Sequence, residues 1–448
     1  MLRTLSRPLV AGVERFMPGA FVFAVVLSVI VAVLALIFGD VGPGELTLAW
    51  GDGLAGLLDF MTQVALVLLL GYTLATTRQV KAVLVRIAEV PRSPRAAYVF
   101  VALVASLASL ISFGLGLVVG GVIALEVGRA ARRRGTALHY PLLVASAYSG
   151  FVVWHMGYSA TGPLAAATPG SFVEEAIGRT IPITETVFSL WNLTAIVVAV
   201  LAILGTVALL APKGDDRVVE LPDRMVEEEE ENDEPAPPAT PAERLEASRL
   251  ITLVPAVALL VYLVVYFAQG GFELTLDIVN WSFLAAILLL VRGPRELSEL
   301  VAGAVRTVGE VLLQYPLYAG IIGMMTASGL AAQLSGFFTT VAGPGTLGLL
   351  AFLSAGLLNM FVPSGGGQFA VQAPIFLEAA DSIGVDPAVI TMAIAYGDQW
   401  TNLIQPFWAV PLLAVAGLGV RDIFGFTIIT WLITGVVFAG TMLVLGAM

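Results

Sequence analysis

Long apolar stretches recur along nearly the whole of this 448-residue chain. Each is about 17 to 25 residues long, enough for a helix to cross the roughly 30 Å hydrocarbon core of a bilayer. A mean hydropathy of +0.93 and only 12% charged residues fit a chain that resides in lipid. We therefore expect an all-α polytopic membrane protein without a separate soluble catalytic domain.

Hydropathy predicts about nine membrane-spanning helices. They are residues 19–38, 57–75, 140–160, 187–211, 250–268, 276–291, 308–328, 388–404 and 424–446. The first stretch is not followed by a small-residue cleavage pattern, so we expect a retained helix rather than a signal peptide.

Two further apolar segments, 98–127 and 345–380, are interrupted at their centres. The interruptions are Ser112-Phe-Gly-Leu-Gly116 and Asn359-Met-Phe-Val-Pro-Ser-Gly-Gly-Gly367. Such breaks expose backbone N–H and C=O groups that lipid cannot satisfy, so they must face protein or water. We predict that both segments are re-entrant hairpins with broken helices, whose tips reach the middle of the membrane from opposite sides.

The basic residues test this topology, because lysine and arginine concentrate in cytoplasmic loops. With both hairpins re-entrant and the N-terminus in the cytoplasm, only Arg179 of the 22 basic residues falls on the outer side. If one hairpin crossed the membrane, later basic loops would move to the wrong face. We expect a multi-pass protein of the bacterial inner membrane with a cytoplasmic N-terminus.

The segments 1–211 and 248–448 share an order of landmarks. In each, a broken hairpin precedes a polar helix, and the interval from Ser112 to Tyr148 is 36 residues, against 37 from Asn359 to Tyr396. The additional helix at 250–268 would insert the second segment in the opposite orientation. Two inverted repeats with broken helices are typical of secondary transporters. The acidic segment 212–247 is interpreted as a cytoplasmic linker, disordered in part.

The composition excludes several kinds of site. Cysteine is absent and only His139 and His155 supply imidazoles, so disulfides and thiolate metal sites are excluded and a structural metal is unexpected. Much of the acidity behind the net charge of −11 lies in the linker, which we interpret as solvated. We expect lipid and a small-molecule substrate as partners, no nucleic acid, and no cofactor beyond a coupling ion.

The tip of the second hairpin is the first candidate site. Pro363 is expected to stop the preceding helix, and the glycines after it let backbone N–H groups approach a ligand closely. The next half-helix would present its positive end to an anion, with Asn359, Ser364, Gly365 and Gly366 as substrate contacts. The alternative is that the glycines only permit tight helix packing.

The first half offers weaker candidates. Ser112 and Gly114 are assigned to the substrate site by symmetry with the second tip, although they also fit a small-residue packing face. On the polar helix that follows, Ser149 and His155 are candidate contacts. His155 fits a hydrogen-bonded core residue equally well.

Asp398 lies about 11 residues into its helix, near the bilayer midplane at roughly 1.5 Å per residue. With Thr401 it is the candidate site of a coupling ion, either H⁺ or Na⁺. Asn402, on the same helix, is assigned to the substrate. A structural carboxylate that neighbouring amides satisfy is the alternative.

Motifs in both halves resemble those of one family. They are Val362-Pro-Ser-Gly-Gly-Gly367, Ala393-Ile-Ala-Tyr-Gly-Asp-Gln-Trp400, Gln405-Pro-Phe-Trp408, Ala416-Gly-Leu-Gly-Val-Arg-Asp422, Gly116-Leu-Val-Val-Gly120, Tyr140-Pro-Leu-Leu143 and Ala167-Thr-Pro-Gly170. Over nearly its full length the chain resembles the bacterial short-chain fatty acid transporters, a family similar to a wider ion transporter superfamily. The resemblance implies uptake of acetoacetate, butyrate and similar acids. It also implies a homodimer whose hairpin-bearing domain moves against a fixed scaffold.

Other functions remain open alongside this one. They are a carrier for other small organic anions such as dicarboxylates, a channel, and an intramembrane protease. An aspartyl protease needs a second intramembrane Asp, which the sequence lacks, and a serine protease would need a base facing Ser149. Two hairpins that meet at a midplane site suit alternating access better than a continuous pore. Cation-coupled secondary transport is therefore the predicted function.

Overall fold

The computed structural model describes residues 20–212, 218–226, 240–360, 362 and 364–447, and these residues form helices without strands. The helices before the linker are α1 Ala20–Phe38, α2 Pro43–Gly53, α3 Leu58–Ala75, α4 Arg78–Ile87, α5 Pro94–Ile111, α6 Phe113–Arg133, α7 Tyr140–Gly150, α8 Thr161–Ala167, α9 Phe172–Ile177 and α10 Leu190–Leu209. A 3₁₀ helix, Phe151–Met156, continues directly from α7.

The later helices begin inside the predicted linker. They are α11 Pro241–Glu246, α12 Arg249–Gly270, α13 Leu276–Leu290, α14 Pro294–Ala304, α15 Gly309–Ala327, α16 Leu330–Val341, α17 Leu347–Asn359, α18 Gly365–Ile383, α19 Pro387–Asn402, α20 Pro406–Ala416 and α21 Val420–Gly446.

Six helices in the described ranges are long and apolar enough to cross a membrane, or seven if a bent pair counts as one span. This confirms the all-α, multi-pass architecture, while the count of nine spans and the inverted repeats stay predictions. The bent pair is Val311–Ala327 with Leu330–Val341, at 78°. The bend was not predicted, and it occurs at Gly329, whose φ of 68° is accessible to glycine at little cost.

The structure places a break inside each predicted hairpin. Ser112 is extended, with φ −158° and ψ 139°, between α5 and α6. Ser364 is extended, with φ −144° and ψ 106°, and its Oγ caps α18 by accepting the N–H of Gly367 at 3.3 Å. Pro363, which we expected to stop the preceding helix, lies outside the described residues.

Each predicted hairpin packs against the helix that follows it in sequence, while its re-entrant course stays a prediction. The arms α5 and α6 contact α7, and the arms α17 and α18 contact α19. The two halves also interlock, because α6 contacts α20 and the 3₁₀ helix contacts α19. As a result the 3₁₀ helix, which interrupts the predicted span 140–160, faces α19 near its C-terminal end in the interior. Buried aromatic side chains such as Trp154 and Tyr148 surround this contact.

A strap, residues 218–226, crosses the ends of α6 and α7. The backbone oxygen of Val219 accepts the N–H of Tyr140 at 2.7 Å, and Nε of Arg129 donates to the backbone oxygen of Met225 at 2.9 Å. This part of the predicted linker is therefore packed. The rest of the segment, 213–217 and 227–239, lies outside the described residues, so its expected disorder stays a prediction.

We predict that Leu221→Ala lowers the thermal midpoint of the purified protein in detergent, because the Leu221 side chain is only 4% exposed. Replacement of a buried leucine by alanine costs roughly 2 to 5 kcal/mol. Val219→Ala, whose side chain is 37% exposed, is the matched control and should leave the midpoint unchanged. Equal midpoints for the two variants would show that the strap does not contribute to stability.

Candidate substrate and coupling-ion site

The 3₁₀ helix Phe151–Met156 meets the C-terminal part of α19 in the interior, and this contact between the two halves of the chain is called the crossing. Trp154, in the 3₁₀ helix, donates its indole N–H to Oδ1 of Asn402 at 2.8 Å, where α19 ends. The hydroxyl of Tyr148, on α7, donates to the backbone oxygen of Asn402 at 2.6 Å. Because lipid cannot satisfy the backbone groups that a break exposes, such hydrogen bonds stabilise the irregular segments.

His155 and Asp398 form a fully buried pair at this crossing. Nδ1 of His155 lies 2.7 Å from Oδ2 of Asp398. On the other side of the ring, the backbone N–H of Gly162 donates to Nε2 at 3.0 Å, and Oγ1 of Thr161 lies 3.1 Å from Nε2. A ring nitrogen that accepts an N–H carries no proton, so this network assigns the imidazole proton to Nδ1. His155 is thus a neutral donor to the Asp398 carboxylate.

The second carboxylate oxygen, Oδ1 of Asp398, has no hydrogen-bond partner among the described residues. The whole side chain is buried. A buried polar group without a partner costs about 1 to 3 kcal/mol, and a charged one costs more. A proton or a monovalent cation at Oδ1 would remove that penalty.

Asn359 ties the second hairpin to α19. Its Nδ2 donates to the backbone oxygen of Asp398 at 2.7 Å and to Oγ1 of Thr401 at 2.8 Å. The side-chain amide of Gln405 donates to the backbone oxygen of Asn359. Thr401 is therefore hydrogen-bonded to Asn359, and within the described chain Oδ1 of Asn359 has no partner.

The N-terminal end of α18 forms the second tip. Its first intrahelical hydrogen bond runs from the N–H of Gln368 to the backbone oxygen of Ser364, at 2.8 Å. The N–H groups of Gly365 and Gly366 precede that bond, so helix geometry gives them no intrahelical partner. These are the groups that an anion at the tip would contact.

Gly365 lies between Trp154 and Asp398. A Cβ at this position would lie 2.6 Å from the Trp154 ring and 3.0 Å from Oδ2 of Asp398. Since real Cβ atoms do not approach neighbours as closely as 2.6 Å, only glycine allows the tip to lie here. The start of α18 is thereby held beside the His155–Asp398 pair.

Gly366 faces a different surface, formed by Tyr315 on α15 and Phe60 on α3. A Cβ at Gly366 would overlap the hydroxyl of Tyr315 and lie 3.1 Å from the Phe60 ring. The same hydroxyl lies 3.4 Å from Oγ of Ser364. Sequence reasoning missed Tyr315 and Phe60, because they belong to apolar helices that carry no motif of the tips.

The first tip reaches the crossing through Phe113, whose ring centroid lies 5.2 Å from that of Trp154. Ser112 and Gly114 instead lie against α3, with the Ser112 hydroxyl next to Gly71. In the described part of the chain the Ser112 hydroxyl has no hydrogen-bond partner. The substrate roles of Ser112 and Gly114 stay predictions.

Ser149 contacts another helix, because its Oγ donates to Oγ1 of Thr430 on α21 at 3.0 Å. Most of the remaining candidates do meet at the crossing. Those brought together are His155, Asn359, Gly365, Asp398, Thr401 and Asn402. Their functional assignments stay predictions.

Among the described residues, no group of three or more His, Cys, Asp or Glu side chains could hold a metal ion. A Na⁺ ion at Oδ1 of Asp398 would need neutral oxygens for its other ligands. Oδ1 of Asn359 is a nearby candidate, since the same amide already hydrogen-bonds the Asp398 backbone.

The sequence matches the short chain fatty acid transporter family over residues 1–445. The chain belongs to this family. Two relatives are named for short-chain fatty acid transport: one from Escherichia coli K12, 40% identical over 438 residues, and one from Haemophilus influenzae, 36% identical over 444 residues. Each comparison covers 98% of both chains. As a family member the protein is a membrane transporter and not an enzyme, which confirms the predicted family and class.

Two solved structures share the fold. The YdaH transporter of Alcanivorax borkumensis has a TM-score of 0.60 at 16% identity, over 96% of this chain and 98% of its own. Neisseria gonorrhoeae MtrF has a TM-score of 0.61 at 16% identity, over 98% of this chain and 97% of its own. At this identity the likeness shows the fold alone.

We predict that Gly365→Ala lowers the thermal midpoint in detergent, because its Cβ would press on Trp154 and Asp398. Overpacking of this kind costs typically about 1 to 3 kcal/mol. Gly336→Ala, in α16, is the matched control: it has open space around it and should not lower the midpoint. If Gly365→Ala is as stable as wild type, the tip is not packed as described.

Proposed function

We propose that this protein imports short-chain monocarboxylates such as acetoacetate and butyrate across the bacterial inner membrane, together with a cation. The names of the two bacterial relatives support short-chain fatty acids as the substrate class. The observation that carries the proposal is the close approach of the α18 N-terminus to the buried Asp398. An anion site and a proton or cation site are thereby adjacent.

The substrate carboxylate is proposed to bind at the second tip. There the N–H groups of Gly365 and Gly366 and the positive end of the α18 dipole would stabilise it. No lysine or arginine occurs in the sequence between Arg306 and Arg421, so binding at this tip would use neutral donors. Further donors are proposed to be the Ser112 and Ser364 hydroxyls and the Asn402 amide. Asn359, whose amide hydrogens are donated to Asp398 and Thr401, is proposed instead to position the tip.

Coupling follows from charge repulsion at this site. Two like charges about 4 Å apart repel by about 4 kcal/mol at an effective dielectric constant of 20, roughly a thousand-fold in binding. A substrate anion on Gly365 therefore binds well only when a cation neutralises Asp398. We assign that role to a proton on Oδ1, because Oδ2 already accepts the His155 proton. Na⁺ held with tip carbonyl oxygens is the alternative.

Alternating access is proposed to expose this site to one side of the membrane at a time. The two hairpins and the two broken helices would move as one domain against a scaffold, within a homodimer and with the N-terminus in the cytoplasm. Support comes from a contact pattern that both halves share. In each half the arms of the predicted hairpin pack on the helix that follows in sequence. Broken helices at a central site are typical of such carriers.

We predict that Asp398→Asn abolishes accumulation of labelled butyrate in proteoliposomes with an imposed pH gradient, but retains butyrate exchange. The amide mimics the protonated acid, so substrate still binds, while no proton can be released. Uptake of butyrate with one proton carries no net charge, so the imposed pH gradient supplies the driving force, about 1.4 kcal/mol per pH unit, and loss of the coupled proton removes it.

The matched control is Asp381→Asn, an exposed carboxylate at the end of α18, which should accumulate butyrate like wild type. Accumulation by Asp398→Asn with the wild-type pH dependence would exclude Asp398 as the coupling residue. Accumulation that follows a Na⁺ gradient and ignores a pH gradient would favour the Na⁺ alternative.

A further inference from the structure

Helix α4, Arg78–Ile87, lies in a short connection between two apolar helices. α3 ends at Ala75 and α5 begins at Pro94, and both are long and apolar enough to cross a membrane. α4 packs against α3 and α6. Because the connection is short and α4 is packed on the ends of its neighbours, α4 lies close to the membrane surface, on the side predicted to be cytoplasmic.

Five basic side chains in and after α4 are exposed, and in the described part of the chain none of them forms an ion pair. They are here called the basic surface: Arg78, Lys81, Arg86, Arg92 and Arg95. The only carboxylate in residues 78–95, Glu89, contacts Arg133 and Arg134 instead, at 2.6 and 3.6 Å. The positive charge of the basic surface is therefore not compensated within the described residues.

The same segment exposes apolar side chains. Val83 is 58% exposed and Val90, in the turn after the helix, is 61% exposed. Leu84 and Ala88, by contrast, are buried against the protein. A basic helix that also exposes apolar side chains is typical of segments that lie in the headgroup region of a bilayer.

We propose that the basic surface binds the headgroups of anionic phospholipids in the adjacent leaflet, with Val83 in the acyl-chain region beneath them. The arginine side chains match the phosphate group in charge and can donate two hydrogen bonds to it. Since α4 packs on α6 and precedes α5, the bound headgroups lie beside both arms of the first predicted hairpin. The inference does not depend on the substrate, so its failure would leave the proposed function intact.

Native mass spectrometry of the purified full-length protein tests the lipid class. It measures the apparent Kd of dioleoylphosphatidylglycerol, with dioleoylphosphatidylcholine as the zwitterionic reference. Wild type should prefer the anionic lipid, and Lys81→Gln combined with Arg86→Gln should reduce that preference by roughly tenfold or more. Arg179→Gln combined with Arg295→Gln is the matched control. It removes two exposed arginines that already form ion pairs, and it should keep the wild-type preference.

Three results of this experiment would overturn the inference. They are equal affinity of wild type for the two lipids, an equal loss of preference in the control variant, and binding of soluble glycerol 3-phosphate as tight as that of the anionic lipid. In the last case the ligand would be a free phosphate compound and not a lipid of the bilayer.

The absence of cysteine permits a second test, of the depth of Val83. In vesicles of phosphatidylglycerol and phosphatidylcholine, a fluorophore on Val83→Cys should be quenched by lipids that carry a doxyl group on the acyl chain. Ala82→Cys, an exposed neighbour about 100° around the helix, is the matched control and should be quenched less. Equal quenching at the two positions would contradict the placement of Val83 among the acyl chains.

Discussion

The hydrogen bond between Nδ1 of His155 and Oδ2 of Asp398 joins two interrupted helices from different halves of the chain. Its geometry depends on a third element, since the N–H of Gly162 fixes the ring tautomer from the other side. The second hairpin is then held against the pair, because Asn359 hydrogen-bonds the Asp398 backbone and Gly365 approaches its carboxylate. Removal of this pair would leave polar groups of three elements without partners in a low-dielectric interior, where each is costly.

Irregular backbone in the interior of a membrane protein is stable only when its polar groups find partners. Here Trp154 and Tyr148 supply donors to the end of α19 at Asn402, and aromatic rings fill the space around the tips. A few polar atoms remain unpaired, including Oδ1 of Asp398 and the Ser112 hydroxyl among the described residues. Since an unpaired buried carboxylate oxygen is especially unfavourable, a cation would gain more by binding at Oδ1 of Asp398 than at a neutral group such as the Ser112 hydroxyl.

Local chemistry made the breaks and Asp398 predictable, because a Pro-Ser-Gly-Gly-Gly run ends a helix and an intramembrane carboxylate is rare and costly. The partners of these residues were not predictable. His155 could be a ligand or a core residue until the crossing placed it on Asp398, and Ser149 contacts Thr430 on a helix that no motif connects with it. Such contacts join residues more than 200 positions apart, which spacing along the chain cannot reveal. The packed strap could not be predicted for a different reason. The acidic composition that indicated a solvated linker is a property of the whole segment 212–247, and it does not distinguish the residues that pack.

In the proposed mechanism Asp398 holds a proton on Oδ1 while substrate occupies the adjacent tip. Infrared difference spectroscopy of the reconstituted protein tests it directly, by comparing spectra with and without butyrate. We predict that butyrate produces the C=O stretching band of a protonated carboxyl group, and that this band is missing from Asp398→Asn although butyrate still binds. Butyrate binding to wild type without such a band, or an unchanged band in Asp398→Asn, would contradict the account.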